Sequence, residues 1–211
     1  MSARADVQPF SADQLDALRE LANVGVGRAA DAFADLLNIP VVLTVPDVRL
    51  VEAGAFVRQI IREAGPENEV TAVRQSFTDD IEGEAIVVYY LGDHDSLETL
   101  VEWVAENGPG SVEAKQELLL EMGNIIVGAS IGGFAEQLGL EVSYTPPSIM
   151  AYRSRSGSVL ERSALPWTYA LVTKVLLYVQ DKEFGCYLLA FFPEQTINKL
   201  RSGIDALLGT A

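Results

Sequence analysis

The sequence predicts an α+β fold with pseudo-two-fold character. A unit of roughly a hundred residues occurs twice and shares one continuous, mainly antiparallel β-sheet, with two long repeat-related helices on the outside. Three observations lead there. The run DALRELANVGVGRAADAFADLLNIPVVLTVPDV from Asp16 returns without a gap as ELLLEMGNIIVGASIGGFAEQLGLEVSYTPPSI from Glu117, 101 residues later. Identities at that offset include Glu20/Glu121, Asn23/Asn124, Gly27/Gly128, Phe33/Phe134, Leu37/Leu138, Thr44/Thr145 and Pro46/Pro147. A second echo follows each copy, IEGEAIVVYYL (Ile81–Leu91) resembling EFGCYLLAFFP (Glu183–Pro193). Both copies also read in one order: long helix, strand, variable middle, strand pair, closing helix.

The first helix is announced by Ser11 and Asp13, candidate caps ahead of a periodic apolar run. Val41–Val45 and Val142–Tyr144 read as strands ended by proline. Ala72–Thr78 and Ala85–Leu91, joined across DDIEG, read as a hairpin, and Tyr169–Val179 with Cys186–Phe192, joined across QDKEF, as its counterpart. Ser96–Ala105 and Glu194–Leu208 read as closing helices, and Glu106–Ser111 (ENGPGS) as the joint between copies. Each half supplies about three strands, too few for an independent sheet. The expected organisation is therefore one domain over residues 1–211, built of repeats at about 11–105 and 112–208.

Thirty Asp and Glu stand against fifteen Lys and Arg in the 211 residues, a net charge of −15. Nucleic acid and anionic lipid are thereby disfavoured as partners, since phosphate contacts need clustered cations. A partner presenting a cationic group is favoured. Cys186 is the single cysteine; its neighbours Tyr187, Leu188 and Leu189 mark it as a buried, inert thiol. The first ten residues lack a signal peptide's basic start and apolar core. No run approaches the ~18–20 consecutive apolar residues of a membrane span, so the expected location is the cytoplasm. The lone His94, in the acidic turn GDHDS, reads as a solvated loop residue rather than a metal ligand.

At about 100° per residue, Leu15, Leu18, Ala22, Gly25, Ala29, Phe33 and Leu36 gather on one face of the first helix. Asp16, Glu20 and Asn23 fall opposite. The second copy places Leu119, Met122, Ile126, Ser130 and Gly133 on the apolar stripe, with Glu117, Glu121 and Asn124 opposite. Taken singly, either polar triplet reads as an ordinary solvated face. Asn is a mediocre helix former, and a C-cap role is a second structural reading, given glycines nearby. Against both stands the survival of Glu-x-x-Asn at one register in both copies. VGVG is no phosphate loop, for it lacks the Lys-Ser/Thr and follows no strand. Gly25 lies on the apolar face, where close packing explains it. Tyr89, Tyr90, Phe191 and Phe192, on strands, read as packing residues rather than a ligand box.

Asp16-x3-Glu20-x2-Asn23 followed by VGVGRAADAFADLL, and Glu117-x3-Glu121-x2-Asn124 followed by IIVGASIGGFAEQLGL, resemble the CheC family of chemotaxis phosphatases. CheX and the middle domains of the switch proteins FliY and FliM are relatives. The resemblance runs from about Gln14 to Leu200. It implies dephosphorylation of a phosphorylated CheY-like response regulator. Glu20 and Glu121 would dock on the regulator's active-site lysine, and Asn23 and Asn124 would orient the attacking water. Asp16 and Glu117, in the leading positions, would be further partner-binding residues; Glu117 is one methylene longer than the first copy's Asp. The chain would need no cofactor of its own, because the Mg²⁺ belongs to the regulator. An acyl phosphate asks for little beyond an in-line water and neutralised charge. An amide can hold that water without titrating, whereas another carboxylate would repel the phosphoryl group.

CheD, a receptor deamidase bound by many CheC proteins, is a second candidate partner. The basic stretch Ala151–Trp167 lies where that contact would fall, with no residue-level match. The competing function is a non-catalytic adaptor that binds a response regulator, CheD or the flagellar switch. Only three residues follow Leu208, leaving no expected room for the C-terminal domain of FliY and FliM.

Overall fold

Ser11 opens the first helix with a reciprocal capping box. Its hydroxyl accepts from the Gln14 backbone N–H, and the Gln14 side chain accepts from the Ser11 N–H. From that cap α1 runs through Ala12–Leu37 and ends at Asn38 in the left-handed region, φ 54. The computed structural model describes residues 10–38, 40–45, 48–53, 69–90, 112–155, 169–179 and 182–210. In order after α1 come β1 (Val42–Thr44), β2 (Val48–Glu52), β3 (Glu69–Asp79), β4 (Gly83–Tyr90), α2 (Val112–Gln137), β5 (Val142–Tyr144), β6 (Ser148–Arg155), β7 (Tyr169–Val179), β8 (Lys182–Phe192) and α3 (Glu194–Leu208). The expected helix at Ser96–Ala105, the joint at Glu106–Ser111 and His94 lie outside the described residues, as does most of Ala151–Trp167.

The described strands form one eight-stranded sheet in which the neighbouring strands pair antiparallel. Its centre is β4 against β8, flanked by β3 and β7. The hairpins expected from DDIEG and QDKEF are β3–β4 and β7–β8. Outside them the halves exchange partners. β1 and β2 pair with β7 of the other half, and β5 and β6 pair with β3. Two of these strands, β2 and β6, exceed the three per half that the sequence suggests. Pro46 and Pro147 read as strand ends, yet the chain beyond each proline resumes pairing along the same partner strand.

Alternation sends side chains to two buried faces. Val73, Phe77, Ala85, Val87, Tyr89, Leu188 and Phe192 meet the helices in the main core, where Phe77 and Phe192 pack edge to face at 5.5 Å. Val70, Ala72, Ile86, Val88, Leu189 and Phe191 form a second cluster. The helices contribute Leu18, Ala22, Val26, Ala29 and Phe33 from α1, and Leu119, Met122, Ile126, Val127 and Ile131 from α2. Most of the helix face read from the sequence is thus buried. Helix α2 has the length and hydropathy to cross a bilayer over Lys115–Gln137, but 56% of that window is buried inside the fold, as expected of a core helix.

The helices touch each other at glycine. A Cβ added to Gly25 would lie 2.2 Å from the Ala129 carbonyl oxygen and 2.7 Å from the Gly133 Cα; one on Gly133 would lie 2.4 Å from the Gly25 Cα. Backbone meets backbone there, so no side chain fits. Gly27 and Gly128 differ, for a Cβ on either meets nothing within 4 Å. At the sheet, Tyr89 donates to the Leu119 carbonyl at 2.9 Å and ties β4 to α2. Glu84 sits 3.3 Å from Arg74, with its Oε1 buried and unpartnered. Burial pushes the Glu84 carboxyl above its ordinary value, and Arg74 pulls it partly back.

Gly25→Ala should destabilise the fold by about 2–4 kcal/mol through overpacking. Gly27→Ala and Gly128→Ala should be neutral or stabilise by up to ~1 kcal/mol, the helix-propensity difference. Urea unfolding of the three variants checks this contrast. For Glu84, the unfolded chain releases its proton first as pH rises, so its contribution to stability declines from its ordinary value of 4.5 through the higher folded value. Glu84→Gln should therefore melt above the parent at pH 7, and the difference should shrink as pH falls towards 4 in melting curves.

Candidate functional site

Helix α1 carries Asp16, Glu20 and Asn23 at i, i+4 and i+7, and α2 carries Glu117, Glu121 and Asn124 at the same spacing. All four carboxylates are exposed. The asparagines are not: both are half-buried, turned towards the chain leaving the first short strand of their own half. The expectation of three side chains all facing water holds for the acids and only in part for the half-buried amides. Both helices also continue past these residues to Leu37 and Gln137, which removes the C-cap reading.

Asn23 is held on every side. Its Oδ1 accepts from the Val45 backbone N–H at 2.8 Å. Its Nδ2 donates to the Val45 carbonyl at 2.9 Å and to the Arg19 carbonyl one turn back at 3.0 Å. Val45 is 1% exposed, so its peptide groups depend on this amide. Asn23 is therefore a clamp between α1 and the chain just past β1.

The second copy cannot repeat that clamp. Val45 corresponds to Pro146, which has no N–H. Its place is taken by Gln75 of β3, a 2% exposed side chain whose Nε2 donates to the Thr145 carbonyl and to Asn124 Oδ1, both at 2.9 Å. The strands show a reciprocal change. Thr44 pairs with Leu176, while the Thr145 N–H donates to the Ser76 carbonyl, so Val175 occupies in β7 the place of Gln75 in β3. One copy has a backbone donor and an apolar neighbour; the other has a proline and a glutamine.

The acids differ as well. Arg19 lies against Asp16 and 3.5 Å from Glu20. Leu120 stands in the corresponding place in α2, and Glu117 and Glu121 have no cationic partner among the described residues. Between the helices an open groove of about 450 Å³ runs past Gly25, Ala29, Gly128, Gly132 and Glu136, with Asn124 on its wall.

Other chemistry is scarce. Cys186 is 1% exposed, and burial pushes its thiol up to about 12, as befits a packing residue. Tyr89, Phe191 and Phe192 are fully buried. Among the described residues no three His, Cys, Asp or Glu side chains gather as metal ligands would. Sequence reading missed Arg19, Gln75, Val45 and Pro146. A signal for Gln75 existed: on the alternating strand it shares a face with Val73 and Phe77, where a polar residue needs a partner.

Residues 14–49, which take in most of α1, all of β1 and the Val45 clamp, match the model of the CheC-like family. The CheY-P phosphatase CheC of Bacillus subtilis is 24% identical over 143 residues, 65% of this chain and 66% of that protein. The flagellar motor switch phosphatase FliY of the same organism is 25% identical over 148 residues, 68% of this chain but 37% of that protein. Less than two thirds of each relative's length is therefore spanned. The crystal structure of Thermotoga maritima FliY shares the fold, with TM-score 0.68 at 18% identity over 93% of this chain and 98% of that one.

The clamp has a measurable weight. Asn23→Ala strands the Val45 N–H and carbonyl in the interior and should cost about 1–3 kcal/mol. Asn124→Ala should cost less, because Gln75 keeps the Thr145 carbonyl. Paired denaturant titrations compare the two, and equal losses would contradict the assignment of Asn23 as a clamp.

Proposed function

We propose that this chain, which belongs to the CheC-like family, dephosphorylates a phosphorylated CheY-like response regulator. The observation behind this is the helix-borne Glu-x-x-Asn face of α2, with exposed Glu117 and Glu121 and the Asn124 amide one turn further along. An exposed Glu beside an amide suits a target that offers a lysine next to an aspartyl phosphate. The carboxylate pairs with the ammonium and fixes the docking pose. The amide then meets the phosphoryl group and holds a water in line with the bond to be broken.

In the reaction, the water oxygen forms a bond to phosphorus while the P–O bond to the aspartyl carboxyl breaks. The bonding pair leaves with the carboxylate, and the water's proton ends on inorganic phosphate or solvent. No covalent intermediate on this chain is needed, which accords with its one thiol being deep in the core. Positioning supplies the rate, since holding water and phosphoryl group in attacking geometry removes much of the entropic barrier. The Mg²⁺ is part of the substrate and stays with the regulator's own carboxylates. The −15 charge of the chain strengthens approach to a cationic docking surface.

The test is the decay of a phosphorylated CheY-like protein in Mg²⁺, with and without this protein. Acceleration is expected, and Glu121→Gln should raise KM several-fold with kcat little changed. Tight binding without acceleration would instead make the protein an adaptor.

A further inference from the structure

We infer that the two motif copies have separate roles: Asn124, positioned by Gln75, orients the water, and Asn23 serves the fold. This rests on the phosphatase reading above and follows from which amide atoms are already engaged. An amide NH₂ has two protons to donate. Those of Asn23 go to the Arg19 and Val45 carbonyls, and its oxygen is taken by the Val45 N–H. Little is left to offer a water or a phosphoryl oxygen. Freeing it would leave the buried Val45 peptide groups unpaired.

Asn124 is set the other way. The Thr145 carbonyl can only accept, so Gln75 must turn Nε2 towards it. That same nitrogen also faces Asn124, so the Asn124 oxygen turns inward to accept. A backbone carbonyl thereby dictates, through two side-chain amides in series, that the Asn124 NH₂ points away from the strand. Its Nδ2 has no partner among the described residues and is not one of the buried orphaned atoms, so it reaches solvent. Asn124 also lines the interhelical groove.

The docking acids point to the same copy. Arg19 occupies Asp16 and approaches Glu20, so a partner's lysine must compete with it. Leu120 offers Glu117 and Glu121 no such competitor. Gln75 is a positioning residue, acting through Asn124 without meeting the substrate. Its Oε1 is buried and unpartnered, so a methionine of similar reach would remove an unpaired acceptor and fill the space.

The experiment compares steady-state turnover of the phosphorylated regulator, over a range of its concentrations, by the unsubstituted protein, Asn23→Ala, Asn124→Ala, Gln75→Met and Gln75→Met/Asn124→Ala. Folding of each is checked by circular dichroism and a melting curve. Asn124→Ala should lower kcat by about 10²-fold, the scale of losing one preorganised donor. Gln75→Met should lower kcat roughly tenfold with KM unchanged, as for loss of a group that orients a functional one. The double variant should be no slower than Asn124→Ala, because Gln75 acts only through that amide. Asn23→Ala, assayed well below its melting midpoint, should keep kcat within about twofold.

A folded Asn23→Ala as slow as Asn124→Ala would overturn the inference. So would a Gln75→Met with unchanged kcat, or one that slows the Asn124→Ala background equally. NMR exchange of the side-chain NH₂ protons judges the arrangement without any turnover: those of Asn124 should exchange with water faster than those of Asn23. Equal or reversed exchange would overturn the amide assignment. Absence of acceleration by the unsubstituted protein would sink the phosphatase reading, and the exchange result would still decide whether the two amides differ.

Discussion

The exchange of edge strands between the halves is the constraint on which most of the structure depends. β1 and β2 are paired along β7, and β5 and β6 along β3, while β4 and β8 close the middle. Each half therefore borrows a ladder from the other, and two short three-residue strands, marginal alone, gain a long partner. The helices follow from this. Both must cover one face of the shared sheet, which brings their axes together and leaves room at the crossing only for Gly25 and Gly133. The motif faces are then turned outward, while each asparagine leans towards the strand end in its own half.

That position makes the asparagine a joint as well as a chemical group. In the first half it ties α1 to Val45, at the end of a strand held by β7. In the second half the tie runs through Gln75, which belongs to the other half's β3. The two solutions satisfy one requirement, that polar groups beneath a helix find partners, with different donors. Val45 with Val175 and Pro146 with Gln75 are matched sets. Moving one member alone into the other copy would leave either an unpaired peptide group or an unpaired amide.

What was legible in the sequence was local or repeated. The helix stripes came from a 3.6-residue period, the hairpins from apolar strands around polar turns, and Gly25 from its place on the buried face. β2 and β6 were hidden because proline reads as a terminus, whereas here it marks a step between two strands on one partner. The acids of the motif were placed on the surface correctly. The asparagines were placed too far out, because a helical wheel records the direction in which a side chain leaves its own axis and nothing about neighbouring elements. Gln75 and Asn124 are 49 residues apart, and only the fold of the sheet brings them together.

Strand exchange also sets the order in which the chain can mature during synthesis. α1, β1 and β2 emerge first, yet the strand that receives β1 and β2 begins only at Tyr169. Until β7 is made, the N-terminal half has unpaired ladder groups and an uncovered apolar helix face. Closure waits on contacts more than a hundred residues apart, the kind that slows folding most. The nascent first half therefore carries an open strand edge of the kind that invites aggregation, and truncation before β7 removes the partner on which that edge depends.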